Sequence, residues 1–261
     1  MALENPTLLA AAEPGCGLLV EWDSAPQAVP PHAAAHIETR WAHYLAAAPA
    51  AGKTLFNGPI TRLIDVAHFP AGPAGRPRIR LRLGPADYKS FLVTCMRDRP
   101  WFQAHAPHAL TPALGNSALP TFGSHALLGL RSPRVEAYPG RLHLIGGVLE
   151  ALNTPRFPAT RAGIEAHVLM ELHEEIGLAP GEERRDGWPR ILGVAYDDFL
   201  GQPELFWHWE LRVPLETLLQ RLDPYEHTSA LILAQTDMTP AIWEQLTPIA
   251  RLAWQMWTER H

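Results

Sequence analysis

The sequence predicts an α+β fold with a substantial core, on three observations. Short alternating apolar runs recur through the second half as strands do, two longer segments repeat apolar residues every three or four positions as helices do, and proline and glycine clusters separate the pieces. With 261 residues, 47% hydrophobic and 19% charged, the chain can bury a core and is too mixed in composition to stay disordered.

Proline and glycine cluster at 26–31, 69–77 and 107–120 and break the first half into short elements. Between them, His32 to Ala48 reads as a helix, with Ile37, Trp41 and Leu45 spaced by four. Arg78 to Leu83 alternates strictly and reads as a strand with Ile79, Leu81 and Leu83 on one face. Its other face carries Arg78, Arg80 and Arg82, which could line an anionic pocket. A solvated strand face explains them as well, since a half-buried strand requires alternating polar residues.

From Ser124 onward the pattern sharpens. HALLGLR (125–131), RLHLI (141–145), ILGVAY (191–196), ELFWHWELRV (204–213) and SALILAQ (229–235) are strand candidates. A helix spans Ala162 to Leu178 and stops near Gly177. Another starts at Thr239-Pro240, a cap followed by proline at the first helical position, and points Ile242, Leu246, Ile249, Leu252 and Met256 inward. The expected organisation is an N-terminal extension of mixed structure over 1–118 packed on a catalytic domain over 119–261.

Net charge −5 and a pI near 6.2 provide no general attraction to nucleic acid, so a phosphate-bearing ligand must meet local cations or a metal. Cys16 and Cys95 show neither metal spacing nor a multi-bridge framework, and ordinary burial is their expected role. The first residues lack a signal peptide's charged leader, and no uncharged 18-residue apolar stretch occurs. The expectation is a soluble, cytoplasmic protein with a small-molecule ligand and no membrane partner.

The informative segment is Met170 to Leu178, MELHEEIGL. Glu171, Glu174 and Glu175 are related by three and four positions, so on a helix they fall within roughly 100° of one another. Like charges so placed destabilise a helix by about 0.2–0.5 kcal/mol per pair. No lysine or arginine stands at a matching position, and a divalent cation would relieve the repulsion. Magnesium prefers oxygen ligands, keeps waters and bridges carboxylates to phosphates. The alternative is a solvated acidic helix face.

The context is a strand-like 141–145, then Gly146-Gly147, then the acidic helix closed by Ile176-Gly177-Leu178. This order resembles the Nudix box: Gly, five residues, Glu, seven residues, Arg-Glu, an aliphatic, any residue, Glu-Glu, any residue, Gly, an aliphatic. Glu171, Leu172, Glu174, Glu175, Gly177 and Leu178 match its second half position by position. The first half departs. Gly147 and Glu171 are nine residues further apart than the usual box, an insertion assigned to Ala151–Ala159, and Met170 and Ala162 stand where the box has Arg and its earlier Glu.

The resemblance implies a Nudix α/β/α sandwich with a mixed sheet. It also implies that Glu171, Glu174 and Glu175 hold Mg2+, with Mn2+ as an alternative, aided by the carbonyl of Gly147. His173 occupies a variable box position and is expected at the surface. The lengthened, degenerate box is similar to that of the animal UDP-glucose and UDP-galactose diphosphatase branch. The likeness extends to HIETRWAHYL, RLRLGPADYKSFLVT, LGNSA, GQPELFWHWEL and YEHTSALILA.

That branch implies hydrolysis of a UDP-sugar to UMP and a sugar 1-phosphate by an activated water. Glu171 or Glu174 could be the base. Outside the box, Glu226 is the first candidate and Glu204 the second, each with an ordinary structural role as its alternative. Asp197 and Asp198 could sit near the pocket, with turn formation as their expected role. One of the pairs Trp207/Trp209 and Phe206/His208 is expected in the core, and the other could stack on a base. The residues that read base and sugar are not predicted.

Two other readings are an ADP-ribose or ADP-sugar diphosphatase and a catalytically silent module that binds a nucleotide sugar. A homodimer is compatible with the apolar stretch Leu45 to Ala51.

Overall fold

The computed structural model describes residues 5–72, 75–184 and 186–259. The first four residues and positions 73–74 of the 69–77 break lie outside them. The N-terminal part contains β1 (Thr7–Ala11), β2 (Gly17–Trp22), α1 (Pro31–Ala47), β3 (Pro59–Phe69), β4 (Arg78–Asp87), α2 (Tyr88–Phe91) and α3 (Arg99–His105). There follow β5 (Gly115–Phe122), β6 (His125–Arg131), β7 (Leu142–His143), β8 (Ile145–Val148), α4 (Arg161–Ile176), β9 (Arg190–Asp197), β10 (Gln202–Glu210), β11 (His227–Ala234), α5 (Pro240–Gln245) and α6 (Pro248–Thr258).

The main sheet has eight strands. Its central path runs β1-β9-β10-β5-β6-β11, with β7 on β6 and β8 on β5. β10 and β5 are parallel and the remaining pairs antiparallel, so the sheet is mixed. One face takes α4, whose Ile164, Val168, Leu172 and Ile176 share a core with Leu205 and Trp207. The other takes α6, whose Ile249, Ala253, Trp254 and Trp257 pack on Leu119, Leu192 and Phe206. The result is an α+β sandwich with a helix layer on each side of the sheet.

A second sheet, β2-β4-β3, lies beside it. Ile79, Leu81 and Leu83 of β4 are fully buried in the same core as α4. On the opposite face Arg80 meets Asp65 at 3.0 Å and Arg82 meets Asp23 at 2.6 Å. These arginines serve strand-to-strand ion pairing, and none of Arg78, Arg80 or Arg82 lines the large cavity described below.

The structure shows how the two expected parts join and how the last helix divides. The 118/119 division falls inside β5, and β1 crosses it to pair with β9. Hydrogen bonds from Thr61 to Leu149 and from Leu114 to Thr61 also splice β3 to the main sheet. The helix expected from Thr239 is two helices. Leu246 is extended, and Thr247 restarts the helix by accepting the Ala250 N–H ahead of Pro248. Proline disfavours helical backbone at the residue before it, so a second Thr-Pro pair eight residues after the first marks this break.

α1 buries Ala33, Ile37 and Trp41 as spaced, while Leu45 stays 44% exposed. Cys16 and Cys95 are both free and buried. Among the described residues, no helix is long and apolar enough to cross a membrane.

Candidate active site

α4 is set at both ends by its own sequence. Thr160 caps the start by accepting the Gly163 N–H, and Gly177 stops it in the left-handed conformation at φ 61°. With Ile164, Val168, Leu172 and Ile176 turned into the core, Glu175 is buried and Glu171 half-buried, while Glu174 is exposed. The three carboxylates share a broad face, but only Glu171 and Glu175 turn inward together.

The glycine pair before the helix sits against them. β8 pairs with β5, placing Gly147 opposite Asn116 and Gly146 opposite Ser117. A Cβ at Gly147 would stand 3.2 Å from Glu171 Oε1, so its absence lets the carboxylate approach the backbone. At Gly146, φ is +143° and a Cβ would meet the Asn116 carbonyl at 2.4 Å. Asn116 anchors this junction by donating to the Ile164 carbonyl at 3.0 Å and accepting the Trp207 indole N–H at 2.8 Å.

Burial and the neighbouring charges of Glu175, Glu174, Glu150 and Glu226 push the Glu171 carboxyl up to about 9. Burial pushes Glu175 up to about 8, with Glu226 adding to it and Arg131 and the Gly146 N–H opposing. Three buried histidines stand beside carboxylates: His167 by Glu171 at 3.5 Å, His227 by Glu175 at 2.7 Å and His143 by Glu204 at 3.6 Å. Burial pushes His167 and His227 down to about 4 and His143 well below its usual value, so all three rings are neutral near pH 7.

Both outside candidates for a base line the same cavity. Glu226 is half-buried, and its charge acts on both Glu171 and Glu175. Glu204 is buried, accepts a hydrogen bond from Ser117 and is pushed up to about 7 by burial, with Asp197 beside it. Asp197 forms the expected turn by accepting the Phe199 and Leu200 N–H groups, and also accepts from Tyr138 at the cavity wall. Asp198 accepts from Thr7 at the surface.

The cavity measures about 650 Å³. Phe56, Tyr88, Tyr138 and Tyr225 line it with aromatic faces, and Lys53, Arg131, Arg134 and Arg156 with cations. Phe56 is 74% exposed at its edge. Neither the Trp207/Trp209 pair nor the Phe206/His208 pair lines it. Phe206, Trp207, His208 and Trp209 are all buried, because β10 is a central strand covered on both faces.

The insertion folds onto the site as well. Leu152 and Phe157 anchor it in the core, while Arg156 lines the cavity and points at the Met170 sulfur, 2.8 Å away. His173 is half-buried, and its Nε2 is sealed from solvent with no partner among the described residues.

Among the described residues, no group of three or more His, Cys, Asp or Glu side chains is arranged to hold a metal ion by itself. The residues do fit a hard cation that keeps waters and takes substrate oxygens. Glu171 is half-buried beside the buried Glu175, whose charge opposes its ionisation, and Gly147 brings backbone against Glu171. Beside these residues lies the cavity, of a size that small-molecule sites commonly have.

The box motif points to Gly147, Glu171, Glu174 and Glu175, and the structure brings the first two together with Glu175. His143, His227, Glu150 and Tyr138 carry no local signal. His167 has one, since it stands four positions before Glu171 on the same helix.

No family model and no curated protein matches the chain. It is similar to a MutT Nudix hydrolase structure from Burkholderia pseudomallei at 22% identity, over 56% of this chain and 98% of that one, with a TM-score of 0.40. A bifunctional NMN adenylyltransferase/ADP ribose pyrophosphatase from Francisella tularensis aligns at 15% identity over 62% and 44% of the two chains, with a TM-score of 0.42. A Nudix hydrolase from Nitrosomonas europaea aligns at 15% identity over 76% and 88%, with a TM-score of 0.38. The named structural neighbours of this α+β chain are thus Nudix hydrolases and an ADP-ribose pyrophosphatase.

Proposed function

We propose that the chain is a Nudix hydrolase that cleaves a nucleoside-diphosphate sugar, UDP-glucose or UDP-galactose, to UMP and a sugar 1-phosphate with Mg2+ or Mn2+. The observation that carries this reading is the convergence of Gly147, Glu171 and Glu175 beside a 650 Å³ cavity that offers both aromatic faces and cations. A bound divalent ion would neutralise phosphate charge as the bond breaks.

Glu171 and Glu175, with the Gly147 carbonyl, would hold that ion, and the charge of the exposed Glu174 acts on Glu171. Glu226 takes the proton from the attacking water, whose oxygen bonds to one phosphorus while the bridging oxygen leaves with the other phosphate. Glu204 is the second candidate for this proton. Phe56 and Tyr88 stack on the base, and Arg134 and Arg156 receive phosphate oxygens.

A binding module without turnover is favoured by one observation, Met170 and Ala162 in place of the box Arg and earlier Glu. The test incubates UDP-glucose, UDP-galactose, ADP-ribose and ADP-glucose in parallel, with Mg2+ or chelator, for wild type, Glu174→Gln and Glu175→Gln. Mg2+-dependent UMP release, lost in Glu175→Gln, is expected. Turnover of the adenine substrates alone overturns the uridine reading. No turnover with ligand-induced thermal stabilisation establishes the binding module.

A further inference from the structure

A buried carboxylate keeps one orientation where donors hold it, and one oxygen of Glu175 has two. The Gly146 N–H lies 3.4 Å from Oε2, and His227 Nε2 lies 2.7 Å from the same atom. With Oε2 so engaged, Oε1 is the oxygen left to meet a cation.

The His227 ring is itself tightly confined. A Cβ at Gly129 would come within 2.4 Å of ring atoms Cε1 and Nδ1, so any other residue there displaces the ring. The His227 N–H donates to the Asp223 carbonyl at 2.9 Å, and the Asp223 N–H donates to the Glu175 carbonyl at 2.8 Å. These bonds tie the start of β11 to the last turn of α4. Nδ1 is buried with no partner among the described residues, which leaves the bond at Nε2 as the ring's polar anchor. His167 is arranged differently. Its Nε2 accepts the Glu150 N–H at 3.1 Å, so it carries no proton there to donate to Glu171.

We propose that His227 is a positioning residue that orients Glu175 for a divalent cation, with Gly129 making room for the ring. This rests on the metal reading of Glu175 above. His227→Phe keeps a ring and removes the donor, His227→Gln restores an N–H, and Gly129→Ala displaces the ring while leaving both polar groups in place. Mn2+ binding to each metal-free protein is measured by titration calorimetry, with melting in chelator to check the fold.

Affinity for Mn2+ should fall on the order of 10–100-fold in His227→Phe and Gly129→Ala, the usual cost of losing a partner behind a metal ligand, and His227→Gln should recover most of it. Wild-type affinity in His227→Phe, or an equal loss in His227→Gln, overturns the proposal. Should His227→Phe not fold, wild-type affinity in Gly129→Ala overturns it. A wild type that binds Mn2+ but hydrolyses no nucleotide sugar sinks only the substrate reading, and one that binds no Mn2+ sinks both.

Discussion

Replacing Glu175 with glutamine should stabilise the metal-free protein above pH 7, although it removes the proposed cation site. Burial raises the Glu175 carboxyl from its ordinary 4.5 to about 8. An acid raised in this way binds more protons folded than unfolded, so stability falls as pH climbs from about 4.5 to about 8. Each pKa unit corresponds to about 1.4 kcal/mol, and because the rise is shared with the neighbouring Glu171 carboxyl, about 2–3 kcal/mol is left to Glu175 itself. Glutamine stays neutral, can still accept from His227 and Gly146, and offers Glu171 an N–H. At about 2–4 °C per kcal/mol, the melting temperature in chelator should rise by about 4–12 °C at pH 8 and hardly at all at pH 5. Adding Mg2+ in place of chelator should reverse the ranking, because only the wild type gains a ligand. Scanning fluorimetry across pH 5–9 with chelator makes the measurement. Parallel curves for the two proteins would refute the claim that this carboxylate is held at a cost to stability.

Phe56→Ala should raise KM for the preferred nucleotide sugar about tenfold or more while kcat and melting temperature hardly change, since its exposed ring supports no core and base stacking on an aromatic face is worth about 1–3 kcal/mol. An unchanged KM would remove Phe56 from the base site. Asp98 accepts from Arg40, Tyr44 and His36, so Asp98→Ala should cost about 2–3 kcal/mol in urea unfolding near pH 7. Burial raises the Asp98 carboxyl, but these donors together hold it below its usual range. Its stabilisation is therefore present above its unfolded pKa and lost as pH falls through the lower folded value. The gap between wild type and Asp98→Ala should accordingly close below about pH 4, and a gap that persists there would count against the network.

Much of the local structure was legible because it depends on near neighbours in the chain. The alternation of 78–83, the run 125–131 and the apolar spacing of 162–178 all became elements within a few residues of their expected bounds. β5 escaped notice because GNSALPTF does not alternate: a central strand is buried on both faces, and Asn116, Ser117 and Thr121 find their partners inside. β1 and β2 are short edge strands whose pairing partners lie far along the chain.

By itself the sequence determined the α+β class, the limits of α4 and the acidic motif with its glycine pair, since capping, periodicity and spacing are properties of neighbouring residues. Only the tertiary structure decided that Glu171 and Glu175 turn inward while Glu174 faces out, because that depends on which side of α4 meets the sheet. It also brought His227 from a strand 52 positions away onto Glu175, and Phe56 and Tyr88 from the N-terminal part to the cavity. No spacing rule encodes such contacts. They follow from how the sheets pair, and pairing is settled by burial over the whole chain.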